Sequence, residues 1–212
     1  MERGKFIVFE GVGGSGKTTQ IKHAKEYLQK KGIKFLITRE PGGVESAEKI
    51  REIIFNLREK NLIGPEGQVA LFFAARKLWL DEVVIPNISE GVSILTDRSH
   101  TSTAAYQGYA EGGNMNQIIE MSKVVMNGYL PDAVILLDVN AQCAIQRKSK
   151  EQKDNDPFDK EGVEYMQKLV NAYREMARDN WGGLDWFVVD GKGSVKEVSQ
   201  EISRILDKIF EK

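Results

Sequence analysis

No stretch of the sequence restricts the fold as tightly as Gly11-Val12-Gly13-Gly14-Ser15-Gly16-Lys17-Thr18, which has the form G-x-x-x-x-G-K-[ST]. It follows directly on the apolar run Phe6 to Phe9, and Ile21, Ala24 and Leu28 then recur at helical spacing. A strand, a glycine-rich turn and an amphipathic helix in that order form the context in which such a loop binds phosphate. Glycines let the backbone curl so that successive N–H groups converge on phosphate oxygens. The helix start adds partial positive charge. Lys17 is expected to reach the β- and γ-phosphates of a nucleotide, and Thr18 to ligate Mg²⁺. Thr19 continues the same first turn, so Gly11 through Thr19 are assigned to ATP binding. The Lys17 charge is expected to find its counter-ion only in the nucleotide.

Further short apolar runs lie at Phe35 to Thr38, Val92 to Thr96, Ala133 to Leu137 and Trp186 to Val189. Each is compact, rich in β-branched or aromatic residues and mostly unbroken, as in strands buried on both faces. Between them Ile50, Ile53, Ile54 and Leu57 mark one helical face, and Val195, Val198, Ile202, Ile205 and Ile209 another. The alternation predicts an α/β fold, a parallel sheet with right-handed crossovers and helices on both faces. A chain of 212 residues without internal repeats or a Pro/Gly linker suits one domain over residues 1–212. Residues 147–160 stand apart, polar throughout except for Phe158 beside Pro157. They read either as a solvated loop or as a lid that excludes water from bound nucleotide.

The net charge is −1, which gives no general attraction to nucleic acid or acidic membranes. Anionic ligands must therefore be held by local cations. Cys143 is the only cysteine, so an intrachain disulfide and a cysteine-rich metal site are excluded, in keeping with a reducing compartment. The first residues lead into a strand without a signal-peptide apolar region, and no apolar run approaches the ~20 residues that span a bilayer. A cytoplasmic location is expected.

The Mg²⁺ shell of a phosphate-binding loop needs a carboxylate at the end of another strand. Asp97 and Asp138 both qualify by position. Asp97 is favoured for metal or proton work, because Arg98 follows it where α/β ligand sites lie. Asp138 leads into a helix and reads equally as its N-cap. A guanine-reading Asn-Lys-x-Asp segment is absent from the sequence, and motor proteins are generally larger. Arg39, Arg51, Arg76 and Arg98 recur at strand ends and on helices, and bidentate guanidinium suits phosphate.

Arg39-Glu40-Pro41-Gly42-Gly43, Phe72-Phe73-Ala74-Ala75-Arg76, Asp97-Arg98 and Ala105-Tyr106-Gln107-Gly108, continued by Pro131-Asp132 and Leu137-Asp138-Val139, resemble the ordered signature of thymidylate kinases. The similarity runs from the first strand to about Asp159. It implies a P-loop kinase fold with a five-stranded parallel sheet, an ATP·Mg²⁺ site, a dTMP site, a short lid and a homodimer. By motif position Phe72 would stack on thymine and Arg76 would bond its O4. Arg39, Arg51 and Arg98 would hold the monophosphate, and Thr103 and Gln107 would contact the base. Glu40, Pro41 and Tyr106 belong to the same acceptor site. The residue chemistry agrees: an aromatic face stacks on a base, and a guanidinium donor suits a carbonyl rather than an amino group.

The sequence departs from the family pattern at Gly13, where an acidic residue is usual, at Ser99, and at Glu111 and Pro157, where arginines are common. With no cation on the loop, Arg147 and Lys153 are expected to share transition-state charge, beside Lys17, Asp97 and Arg98 in catalysis. One alternative is a deoxynucleoside kinase using Glu40 as base. Another is a nucleotide-binding regulatory module without kinase activity. His100 is a weak candidate ligand, His23 a surface residue. Leu78, Trp79 and Val83 fit a dimer seam or the core equally.

Overall fold

The computed structural model describes residues 2–151, 158 and 162–211. Five strands, β1 (Phe6–Glu10), β2 (Phe35–Arg39), β3 (Ser93–Asp97), β4 (Ala133–Asp138) and β5 (Trp186–Asp190), form one sheet in the order β2-β3-β1-β4-β5. Every pairing is parallel. The helices are α1 (Lys17–Lys30), α2 (Glu45–Glu59), α3 (Pro65–Trp79), α4 (Ile85–Ser89), α5 (His100–Thr103), α6 (Met115–Met126), α7 (Ala141–Glu151), α8 (Gly162–Arg178) and α9 (Val195–Phe210). A π-helical turn, Leu80–Val84, joins α3 to α4, and another, Ala104–Ala110, prolongs α5.

Strand alternation sends Phe6 and Val8 to one face of the sheet and Ile7 and Phe9 to the other. On the second face Ile21, Ala24 and Leu28 of α1 and Val198, Ile202, Ile205 and Ile209 of α9 pack as the helical spacing predicts, while Val195, expected on the same face, is half exposed in the first turn of α9. Ser194 and Glu197 close a capping box at the start of α9. On the first face Trp79, Leu80, Val84 and Ile88 cover Phe6, Val8, Ile94 and Val134. Trp79 is wholly buried and serves the core, and Val83 packs half-buried against this cluster. Burial on both faces holds for β1, β3 and β4 but not for the edge strands, where Leu36 of β2 and Val188 of β5 are exposed. On α2 the inward stripe passes through Ile50 and Ile54, and Ile53 points to solvent.

The register brings Phe9 and Arg39 level with Asp97, and Glu10 level with Leu136. The charged strand ends therefore line one edge of the sheet. The connections that leave the neighbouring strands β1 and β4 run toward opposite ends of the sheet, which makes this the switch point at which open α/β sheets bind ligands. Beyond this edge a third cluster, including Phe72, Phe73, Tyr106, Leu169 and Tyr173, walls a site. No helix among the described residues is long and apolar enough to cross a membrane.

Leu28 is fully buried between α1 and α9, against the sheet. Leu28→Ala should lower the unfolding free energy by about 2–5 kcal/mol in denaturant titration. A loss well under that would mean that the α1–α9 layer relaxes into the cavity.

Candidate active site

The loop between β1 and α1 is built as its glycines require. Gly16 caps α1 in the left-handed conformation (φ 100°, ψ 10°). At Gly14 (φ 78°) a Cβ would strike the Ala144 carbonyl of α7, so that helix lies directly on the loop. The first turn of α1 carries no acidic residue, and Thr18 and Thr19 are exposed on it. Lys17 is buried, but its charge is not waiting for nucleotide. Its Nζ donates to the Gly11 and Val12 carbonyls at 2.8 and 3.3 Å and lies 4.0 Å from Asp97 Oδ1. The loop is thus held by its own lysine, which corrects the expectation that only nucleotide would neutralise it. Buried Ser15 Oγ and Asp97 Oδ1 make no hydrogen bond among the described residues.

Behind the loop stands a carboxylate that the sequence reading missed. Glu10 ends β1 wholly buried, and accepts from Ser99 N (3.2 Å), Thr101 Oγ1 (2.6 Å), Ser102 Oγ (2.8 Å) and Tyr173 Oη (2.7 Å). Two of these hydroxyls also accept from Arg98: Ser102 Oγ at 3.1 Å and Tyr173 Oη at 3.2 Å from Nη1. Arg98 Nη2 donates to Tyr106 Oη at 3.0 Å. Burial works against the Arg98 charge, but Tyr106, Tyr173, Glu10 and Asp97 outweigh it and hold the guanidinium protonated well above its ordinary range. Arg98 also has a left-handed backbone (φ 74°), a strained state for a side chain of this size. Its N–H donates to Phe9 O and its carbonyl accepts from Thr96 Oγ1, which fixes that state. An acid ending an apolar strand was the available signal for Glu10. Tyr173 sits among the core positions of α8, where spacing cannot distinguish it from packing.

Arg98 lines a half-open pocket together with Glu40, Pro41, Phe55, Phe72, Arg76, Thr103, Tyr106, Gln107 and Phe158 among others. Aromatic walls with a few converging polar groups are the usual make-up of a small-molecule site. Arg76 is buried at its wall; Nε donates to Glu40 Oε2 at 2.7 Å, and Nη2 lies 2.6 Å from the same oxygen and 3.1 Å from Thr103 Oγ1. Nη1 makes no hydrogen bond among the described residues. Burial raises the Glu40 pKa above its ordinary value, and the charge and hydrogen bond of Arg76 pull it back. Phe158 packs against Phe72, Tyr106 and Phe55, with ring centroids at 6.0, 5.7 and 6.2 Å.

Arg39 and Arg51 meet at the rim, both directed at the Pro41 carbonyl, at 3.3 and 3.5 Å. Arg39 is exposed and paired with Glu48 at 2.7 Å, and the Arg51 guanidinium lies 4.4 Å from the Phe55 ring centroid. Asp138 does not cap α7: it accepts from Arg174 at 2.9 Å, while Asn140 Oδ1 takes the Cys143 N–H at 2.7 Å. His100 is not part of the pocket. It is buried against Trp181, and burial and Arg76 lower its pKa to about 3. Arg147 Nη1 donates to Gly191 O at 2.8 Å, and Gly191 abuts the Ser15 carbonyl, which brings Arg147 to the loop's flank. Lys153 and Pro157 lie outside the described residues.

A strand-loop-helix phosphate cradle beside a buried arginine and an aromatic pocket can align a nucleoside triphosphate with a phosphate-bearing planar acceptor. The sequence profile described as Thymidylate kinase matches residues 9–202. The thymidylate kinase of Carboxydothermus hydrogenoformans is 36% identical, with 97% of this chain and 98% of that protein aligned. That of Thermosipho melanesiensis is 34% identical over 97% and 99% of the two chains. That of Francisella tularensis subsp. novicida is 31% identical over 97% of each. With the whole catalytic edge of the sheet inside these matches, the chain belongs to the thymidylate kinase family.

Proposed function

We propose that the chain transfers the γ-phosphoryl group of ATP to dTMP, giving ADP and dTDP. The observation that carries this reading is Arg76, buried, fixed on two sides by Glu40 and Thr103, with Nη1 left over at the wall of an aromatic pocket. Guanidinium only donates, so the group it suits is a carbonyl such as thymine O4 and not the amino group of cytosine. Phe72 supplies the stacking face. Arg98, Arg39 and Arg51 surround the place for a monophosphate, which a nucleoside does not carry. Glu40, the base that a nucleoside acceptor would call for, is engaged by Arg76.

Transfer to an ionised phosphate asks mainly for alignment and charge compensation. Gly11 to Thr19 hold the donor phosphates and Lys17 exchanges its loop carbonyls for them. Arg98, oriented by Glu10 through Ser102 and Tyr173, holds the acceptor in line. The donor set also fits Mg²⁺. Among the described residues no group of three or more His, Cys, Asp or Glu could hold a metal. Asp97 Oδ1 without a hydrogen bond and the exposed Thr18 hydroxyl match an ion that takes its other ligands from phosphates and water. Bound there, it would neutralise charge on the β- and γ-phosphates. Residues 147–160 act in this reading as a lid of a single domain: Arg147 sits beside the loop and Phe158 in the acceptor pocket. Arg147 and Lys153 bring the compensating cations. Two copies pair as a homodimer, which sedimentation at micromolar concentration tests.

A coupled ADP-release assay over dTMP, dCMP, dGMP, AMP and thymidine should give dTMP as the preferred acceptor. Equal turnover with dCMP would sink the base assignment. Arg76→Ala should raise KM for dTMP by an amount equivalent to about 1–3 kcal/mol while leaving ATP binding unchanged. Replacing Arg147 and Lys153 together by Ala should lower kcat far more than it raises KM for dTMP. Wild-type kcat in that variant would reduce residues 147–160 to a solvated loop.

A further inference from the structure

Outside the phosphate machinery the pocket is backed by a polar chain whose members, Gln107 apart, have no role in the reading above. Arg58 of α2 donates from Nη1 to Gln68 Oε1 at 3.2 Å. Gln68 is almost wholly buried on α3, and its Nε2 donates to the Ile63 carbonyl at 3.4 Å. Gln107, equally buried, donates from Nε2 to the same Gln68 Oε1 at 3.1 Å. Arg58 is fixed in turn by Glu111, 2.8 Å away, which also accepts from Tyr165 Oη at 2.8 Å. Burial, with Glu111 beside it, raises the Tyr165 pKa and keeps it a donor.

The chemistry of this chain fixes the orientations of its two amides. Guanidinium has no acceptor, so the atom Gln68 presents to Arg58 must be its oxygen. That oxygen can be met from the Gln107 side only by an NH₂ group. A flipped Gln107 would set two carbonyl oxygens against each other in a dry site, with loss of the bond and the desolvation of both. Gln107 Oε1 is therefore the atom left over, and it accepts no hydrogen bond among the described residues. Gln107 lines the pocket that also holds Arg76.

We infer that Arg58, acting through Gln68 and held by Glu111, is a positioning residue that locks the Gln107 amide with its carbonyl toward the base, and so makes the pocket read an N3–H. This rests on the dTMP reading and deepens it. Arg76 donates to a carbonyl at C4, and Gln107 accepts from the neighbouring imino proton. Together they match thymine or uracil. Cytosine presents an amino group and an unprotonated N3, which sets donor against donor and acceptor against acceptor.

The test compares kcat/KM for dTMP and dCMP in the full chain. Arg58→Met with Glu111→Gln removes the cation without stranding its carboxylate; Gln68→Met removes the acceptor and leaves the ion pair intact. Both should cut the dTMP-to-dCMP preference by roughly tenfold or more, the scale of one mispaired buried hydrogen bond, with KM for ATP unchanged. Arg58→Lys, which keeps a donor, should retain it. Nitrogen-15 NMR of the Gln107 side-chain amide gives a reading independent of turnover: its protons should exchange slowly in the wild type and in Arg58→Lys, and quickly in the other two. Rates for both acceptors falling together with the preference intact, or an amide insensitive to Arg58 and Gln68, would overturn the inference. A wild type that does not prefer dTMP would instead fault the Arg76 assignment, and the NMR result would still decide how Gln107 is held.

Discussion

The site depends on a negative charge placed where no solvent reaches it. Glu10 is wholly buried at the end of the central strand, an expensive position for a carboxylate unless donors surround it. A backbone N–H and the hydroxyls of Thr101, Ser102 and Tyr173 supply them. Two of these hydroxyls, those of Ser102 and Tyr173, also accept from Arg98, so the guanidinium faces the pocket with its counter-charge behind it. The carboxylate thus ties β1, α5 and α8 together and aims the arginine. The left-handed backbone at Arg98 follows, because the chain must turn sharply after β3 to bring Ser99 to Ser102 under Glu10.

The arginines divide their work by burial. Arg76 and Arg98 are held at several atoms each by groups on other elements, which limits their rotamer freedom and directs what remains of their donor capacity. Arg39 and Arg51 sit further out and meet at the Pro41 carbonyl. A buried guanidinium gives geometric selection; a rim guanidinium gives charge that salt can screen. The pocket needs both, since its acceptor carries a base to be read and a dianion to be gathered.

Much of this was legible from local pattern. The phosphate loop, the five strands and the helical faces of α1 and α9 follow from spacing that any chain of this order must obey. Edge exposure of β2 and β5 was not legible, because an apolar run looks the same at the centre and the margin of a sheet. Asp138 reads as a cap until α7 is seen to begin past Asn140. His100 stands two residues from Arg98 yet turns away toward Trp181. Glu111, a departure from the family pattern, acquires a reason only beside Arg58, 53 positions away in sequence but 2.8 Å in space.

By itself the sequence determined the kind of sheet and the glycine-rich loop between its first strand and helix, the place proposed for a nucleotide's phosphates, since backbone curvature and helix polarity are properties of adjacent residues. Tertiary structure decided the rest: that Lys17 is held by its own loop, that Glu10 and Tyr173 orient Arg98, and which atoms of Arg76 and Gln107 are left without a hydrogen bond among the described residues. The physical reason is that a hydrogen bond is spent on whichever partner arrives, and here the partners come from elements far apart in the chain.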